Sequence, residues 1–249
     1  MRSATILFLT CLASCAATSN AKYTPTAESP AGDGAPSDSD LAKASQNPIA
    51  DLISLPLQNN TNFDVGQGNH TQNILNIQPV IPVTLNEDWN LITRTILPVV
   101  SQSVSNGGDD FGLGDTIATG FFSPSGTEGW TWGVGPVVMV PTSTSNSLGL
   151  GEWGLGASAV GLVMTGPWVV GGLISNLWSV ESSDLNLFTL QPFINYNLDA
   201  GWYLTTAPIV TSNWEATSGE RWTVPLGGGA GRVFKIGSQP INVNLQYYD

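Results

Sequence analysis

Read with period two, the stretch Trp202–Trp214 sorts into two faces. Trp202, Leu204, Thr206, Pro208, Val210, Ser212 and Trp214 point one way, and Tyr203, Thr205, Ala207, Ile209, Thr211 and Asn213 the other. At about 3.3 Å per residue and a tilt of roughly 40°, the separation of the two tryptophans is about 30 Å along a membrane normal, one hydrocarbon thickness. Strands of soluble sandwiches usually stop near about five or six residues. The stretch therefore predicts a membrane-spanning strand with one aromatic anchor in each interface.

The pattern repeats. Strands are expected near Thr61–Gly66, Thr71–Leu85, Trp89–Gln102, Phe111–Ser123, Gly129–Pro141, Glu152–Thr165, Trp168–Val180, Leu185–Leu198, Trp202–Trp214, Glu220–Ile236 and Pro240–Tyr248. Outward faces carry Leu75, Ile81, Val83, Val134, Val170, Ile174 and Leu190, with Trp130, Trp168, Trp178, Trp202, Trp214 and Trp222 as interface aromatics. Their alternates are small or polar, which makes Asn76, Gln78, Asn90, Arg94, Thr189, Gln191 and Asn195 the candidate lumen-lining residues. The fold class expected is an all-β, antiparallel transmembrane β-barrel.

Connections alternate as well. Asn86–Asp88, Pro124–Glu128, Gly166–Pro167, Asp199–Gly201 and Gly237–Gln239 are short, and the longer Ser103–Asp110, Thr142–Gly151 and Ala216–Gly219 mostly fill the other junctions. Short periplasmic turns and longer outer loops are the bacterial rule, as is an even strand count. The expectation is thus about twelve strands in the intact barrel, eleven of them here, with the last one missing at the C-terminal end.

Ahead of the barrel (59–249), residues 1–21 read as an export signal: Arg2 supplies the positive start and Ala4–Leu12 the apolar core. Two cleavage patterns stay open. Leu12-Ala13-Ser14-Cys15 resembles a lipobox that would leave Cys15 acylated, and Ser19-Asn20-Ala21 an ordinary small-residue site. Residues 22–46, rich in Pro, Ser, Ala, Asp and Gly, read as a disordered linker. Over 47–58 a short helix is expected, with Asn47 as N-cap, Pro48 at the first turn and Pro56 as its stop, serving either as a lumen plug or as a lead-in to the first strand.

Composition sharpens this reading through its shortage of charge. Charged residues make up 10% of the chain, against about 25% in soluble proteins, and no run of apolar residues reaches the roughly 18 that a helical span needs. A closed barrel is the other way to satisfy backbone groups in lipid. The net charge of −12 argues against nucleic acid as a partner. Cys11 and Cys15 both lie in the signal, and His70 is the only histidine, so neither a thiol pair, a metal-ligand set nor a catalytic triad is expected, and no cofactor. Gly227–Gly229 and Gly231 mark close approach within a strand rather than a phosphate loop.

Six segments carry a resemblance: Asn47–Asn59 (NPIADLISLPLQN), Asn76–Pro82 (NIQPVIP), Trp89–Gln102 (WNLITRTILPVVSQ), Gly112–Asp115 (GLGD), Gln191–Leu198 (QPFINYNL) and Thr223–Gly237 (TVPLGGGAGRVFKIG). In these the chain resembles the meta-pathway phenol-degradation family of outer-membrane proteins, whose bacterial members are in part labelled transporter or neuromedin U. The resemblance implies an outer-membrane barrel and transport of aromatic or other hydrophobic compounds. Lipid, including lipopolysaccharide, and a small hydrophobic or aromatic substrate are the partners this predicts; the competing reading is a structural or adhesive barrel acting through its outer loops.

Two features bear on mechanism. Arg94 falls in mid-strand and must face the lumen or cost roughly 2–4 kcal/mol in the bilayer; it either binds an anionic or polar group or pairs with a lumen acid. Pro79, Pro82, Pro98, Pro136, Pro192, Pro208 and Pro225 all fall inside expected strands, where each removes a ladder N–H. They either curve the barrel through bulges or weaken one wall to give hydrophobic substrate a lateral route.

Overall fold

The computed structural model describes residues 6–14, 38–65, 70–103, 108–126, 129–181, 185–217, 219 and 221–249. Its sixteen strands form one antiparallel sheet: β1 (Ile6–Ser14), β2 (Ser54–Val65), β3 (His70–Ile77), β4 (Val80–Thr84), β5 (Trp89–Ser103), β6 (Asp109–Leu113), β7 (Thr116–Pro124) and β8 (Trp130–Val140). The series continues with β9 (Gly154–Thr165), β10 (Trp168–Ser179), β11 (Asn186–Asn197), β12 (Trp202–Thr206), β13 (Val210–Asn213), β14 (Trp222–Thr223), β15 (Gly227–Ile236) and β16 (Gln239–Tyr248). Four pairs, β3/β4, β6/β7, β12/β13 and β14/β15, are successive pieces of single wall strands, which leaves twelve. The ring closes, because β10 pairs with both β9 and β11 and β1 with both β2 and β16.

Alternation sets the two faces. Ile92, Phe121, Val160, Leu162, Val169 and Phe193 come from five different wall strands and pack together as one buried cluster, so their side of each strand is the interior. Their sequence neighbours Phe122, Gly161, Val163, Val170 and Ile194 lie outside, and large apolar side chains left exposed there form a continuous exterior band. Satisfying every backbone group in a ring is what permits such a surface.

Three expectations change. The ring has twelve wall strands where eleven were expected, because residues 6–14, within the expected export signal, pair as β1 between β2 and β16. Residues 15–37, which hold Cys15, the end of the expected signal and the first part of the expected linker (22–46), lie outside the described residues, and the remainder of that linker contains the helix α1 (Asp38–Ser45). The helix expected over 47–58 is not formed there. Asn47 caps a single turn, its Oδ1 accepting from Ile49 N at 3.0 Å and its carbonyl from Ala50 N at 3.2 Å. From Ser54 the chain is extended and paired on both edges, so the period-two run of exposed Leu55 and Leu57 prevails over the helical spacing of Ile49, Leu52 and Ile53.

Candidate functional site

Short turns gather at one end of the barrel and longer connections at the other. The short-turn end is filled by the N-terminal segment, which threads inside the ring. Ala42 of α1 is fully buried against Tyr203 and Val233. Beyond it, Gln46 and Asn197 exchange amide hydrogen bonds, Gln46 Nε2 donating at 2.9 Å and Asn197 Nδ2 returning one at 3.1 Å. Asn242 Nδ2 donates to Ser45 Oγ at 3.0 Å. Ile49, 3% exposed, then inserts into the cluster around Phe121. A buried apolar knob backed by paired amides is a fixed plug, since undoing it would strand polar groups and expose a side chain together.

The loop end is narrowed from inside by the β8–β9 connection, Thr142–Gly151, which folds onto the interior face of β5 and β6. Thr144 and Leu113 hold each other, Thr144 N donating to Leu113 O and Leu113 N to Thr144 Oγ1, both at 3.0 Å. Gly112 permits this approach, because a Cβ there would lie 1.9 Å from Thr144 Oγ1. Asp115 clasps the connection: its carboxylate accepts from Ser143 N at 3.1 Å, Leu150 N at 2.6 Å and Gly151 N at 3.0 Å. Asp110 accepts from the hydroxyls of Ser145 and Ser147, and Gln102 Nε2 donates to Ser147 O.

Against the plug a cavity of about 230 Å³ remains, a little below the usual size of ligand pockets. Arg94, Gln78, Gln191 and Asn195 are among its polar lining residues, and Leu173 and Phe193 among its apolar ones, with the plug closing one side. The other candidate lumen residues share this face without bordering the cavity: Asn76 lies opposite Gln58 and Pro98, Asn90 opposite Ser123, and Thr189 opposite Ser175 and Thr211. Trp130, Trp168, Trp178, Trp202, Trp214 and Trp222 all lie outward, from 39% exposed (Trp214) to 54% (Trp130). They fall at the two ends of the wall. Trp168 meets Tyr196 at 4.6 Å between ring centroids and Trp202 lies 5.3 Å under the Arg232 guanidinium at the short-turn end, while Trp214 and Trp222 meet edge to face at 5.5 Å at the other.

Among the described residues, two interruptions of the wall cross more than one strand pair, besides a short lapse between β7 and β8 at Gly120–Phe121 and Gly135–Pro136. One interruption runs through Gln78–Pro79 and Gly114–Asp115 and is bridged by Gln78 N to Pro56 O, Thr95 N to Pro79 O and Gly114 N to Pro98 O, at 2.9–3.1 Å. The other lies at Ala207–Ile209 and Val224–Leu226. There β11 pairs through Ile194 with Thr206 and resumes only at Leu190 with Val210, and β15 leaves its neighbour after Gly229 with Thr205. Pro192, Pro208 and Pro225 fall at this level, one in each of three adjacent wall strands. Thr205 borders the interior cavity and also an exterior notch formed with Trp168, Ile194, Tyr196, Leu204 and Thr206.

Sequence reasoning missed the inward course of Thr142–Gly151, which reads as an ordinary polar loop; the one signal was the GLGD run, whose small residues and carboxylate receive it. Pro82 sits within a continuous strand and in unbroken register opposite Ile92, so a proline alone does not interrupt this wall.

No curated protein matches the chain. Among solved structures, an outer-membrane channel from Pseudomonas putida F1 is similar in fold, with a TM-score of 0.53 at 18% identity, covering 99% of this chain and 94% of that one. The family described as "Putative MetA-pathway of phenol degradation" matches residues 54–247, from the start of β2 into the end of β16, and the chain belongs to that family.

Proposed function

We propose that this protein is an outer-membrane channel that passively passes small hydrophobic or aromatic compounds. The observation that carries the reading is the combination of an apolar exterior, a lumen stopped at its short-turn end, and a cavity that shares Thr205 with a notch on the exterior. A plug at one end and a narrowing at the other favour a sideways path through the interrupted wall over a straight aqueous one. By the rule of short periplasmic turns, the plug faces the periplasm and Thr142–Gly151 the outside. Export through residues 1–21 and contact of the six tryptophans with lipid head groups belong to the same reading.

Flux into protein-containing liposomes tests it. Phenol or toluene uptake above that of empty vesicles, with little ion conductance, is the expected outcome. Silence to both would favour the structural or adhesive barrel. Brominated lipids report the placement separately: both Trp202 and Trp214 should be quenched at interface depth, and finding either one shielded would overturn the face assignment.

A further inference from the structure

Arg94 lies across the sheet from Val80 and Thr119, two residues from Ile92 on the interior face. Its Nη2 donates to Gln78 Oε1 at 2.7 Å. Gln78 Nε2 donates in turn to Gln58 Oε1 at 2.8 Å, and Gln58 Nε2 to Asn60 Oδ1 at 3.0 Å. Every group in this relay is a neutral amide except the guanidinium at its head. Among the described residues no carboxylate pairs with Arg94, so of the two readings open for it the lumen-acid pair has no partner there. A guanidinium presents five N–H donors in a planar fork, and the relay holds the fork at the edge of the cavity with one donor engaged.

An enclosed cation beside neutral dipoles is costly unless an anion completes it. The cavity supplies the rest of a binding site, with Leu173 and Phe193 as an apolar floor and Gln191 and Asn195 as further polar groups. We infer that the chamber binds a small aromatic carboxylate, its two oxygens on the Arg94 fork and its ring against Leu173 and Phe193. A carboxylate matches the fork in a two-bond geometry that a phosphate dianion would leave short of positive charge. An amine ligand is opposed by the fixed charge, and a neutral one leaves the fork unanswered. Gln78 is a positioning residue, since it keeps the fork from folding back onto the wall.

This rests on the channel reading, deepening it by naming a substrate class. Calorimetry on the full chain in detergent micelles, with benzoate against the isosteric neutral benzamide, tests it without requiring transport. Wild-type protein should bind benzoate at least tenfold more tightly than benzamide. That preference should collapse to about one in Arg94→Gln and fall several-fold in Arg94→Lys, which keeps the charge and loses the fork. Equal affinity for the two ligands in wild type, or a benzoate preference that survives Arg94→Gln, overturns the inference. If Arg94→Gln does not give the heat-modifiable band of a folded barrel, the Arg94→Lys ratio decides: an undiminished preference overturns it. Liposome flux of neutral phenol by wild-type protein separates the two readings, since benzoate preference without flux sinks only the channel, and flux without preference sinks only the carboxylate site.

Discussion

The two interruptions of the wall are alike in cause and unlike in outcome. Both place proline where adjacent strands would exchange hydrogen bonds, yet at Gly114–Asp115 the gap is backed by Thr142–Gly151 and by Asp115, whereas at Ala207–Ile209 side-chain hydrogen bonds among the described residues stand in for the ladder. There Ala207 N donates to the Tyr248 hydroxyl at 2.6 Å, and Thr206 Oγ1 donates to Gly227 O at 2.7 Å. Gly227 pairs with Tyr248, and a Cβ at Gly227 or Gly229 would come within 1.9 Å of a backbone carbonyl of β16, so this run lets β15 and β16 approach closely beside the gap. A missing ladder is therefore not in itself an opening; what covers the gap decides whether the wall can part.

The largest effect should come from uncovering the covered gap. Asp115→Ala removes three charge-assisted bonds and should loosen Thr142–Gly151 by about 2–4 kcal/mol. Protease cleavage within 142–151 should rise many-fold and single-channel current become larger and noisier; an unchanged digest would mean that the carboxylate does not hold the connection. Next, Tyr248→Phe removes the hydroxyl that accepts from Ala207 N and donates to Gln246 Oε1, the first of these bonds being worth about 1 kcal/mol at the gap. Amide exchange at Ala207 should quicken about fivefold, with hydrophobic uptake rising alongside. The smallest shift is expected from restoring N–H groups. Pro208→Ala and Pro192→Ala should each slow exchange around Ala207–Ile209 by a factor of about two to three, and slower uptake with it supports the lateral route. Slower exchange with uptake unaltered would leave these prolines a role in curvature alone.

How much of this was legible follows from the range of each interaction. The wall strands from β3 to β16 were readable because a two-sided wall writes period two into every segment, as at Trp130, Trp132 and Val134 or Phe188, Leu190 and Ile194. Gaps within them were not, because Pro98 and Pro208 look alike in sequence and differ only in what their neighbours supply. The helix Asp38–Ser45 carries a weak apolar face, Leu41 and Ala42, and its docking depends on Tyr203 and Val233 far along the chain. Arg94 was readable as a lumen residue from its own strand. Its hold on Gln78 was not, since that depends on the register that sets Val80 opposite Arg94.

β1 has a consequence for how the ring is completed. β2 and β16 both run from the short-turn end toward the loop end, and β1 runs the other way between them, antiparallel to each. Cleavage after residue 21 would remove it and leave two parallel edges facing one another. Those edges could not meet in the pattern used everywhere else in the ring; some other downward strand would have to enter, or the barrel would close on a single parallel seam, as the odd-numbered mitochondrial barrels do. A peptidase and the wall thus compete for the same nine residues, and the intact mass of the membrane-extracted protein reports which of them wins.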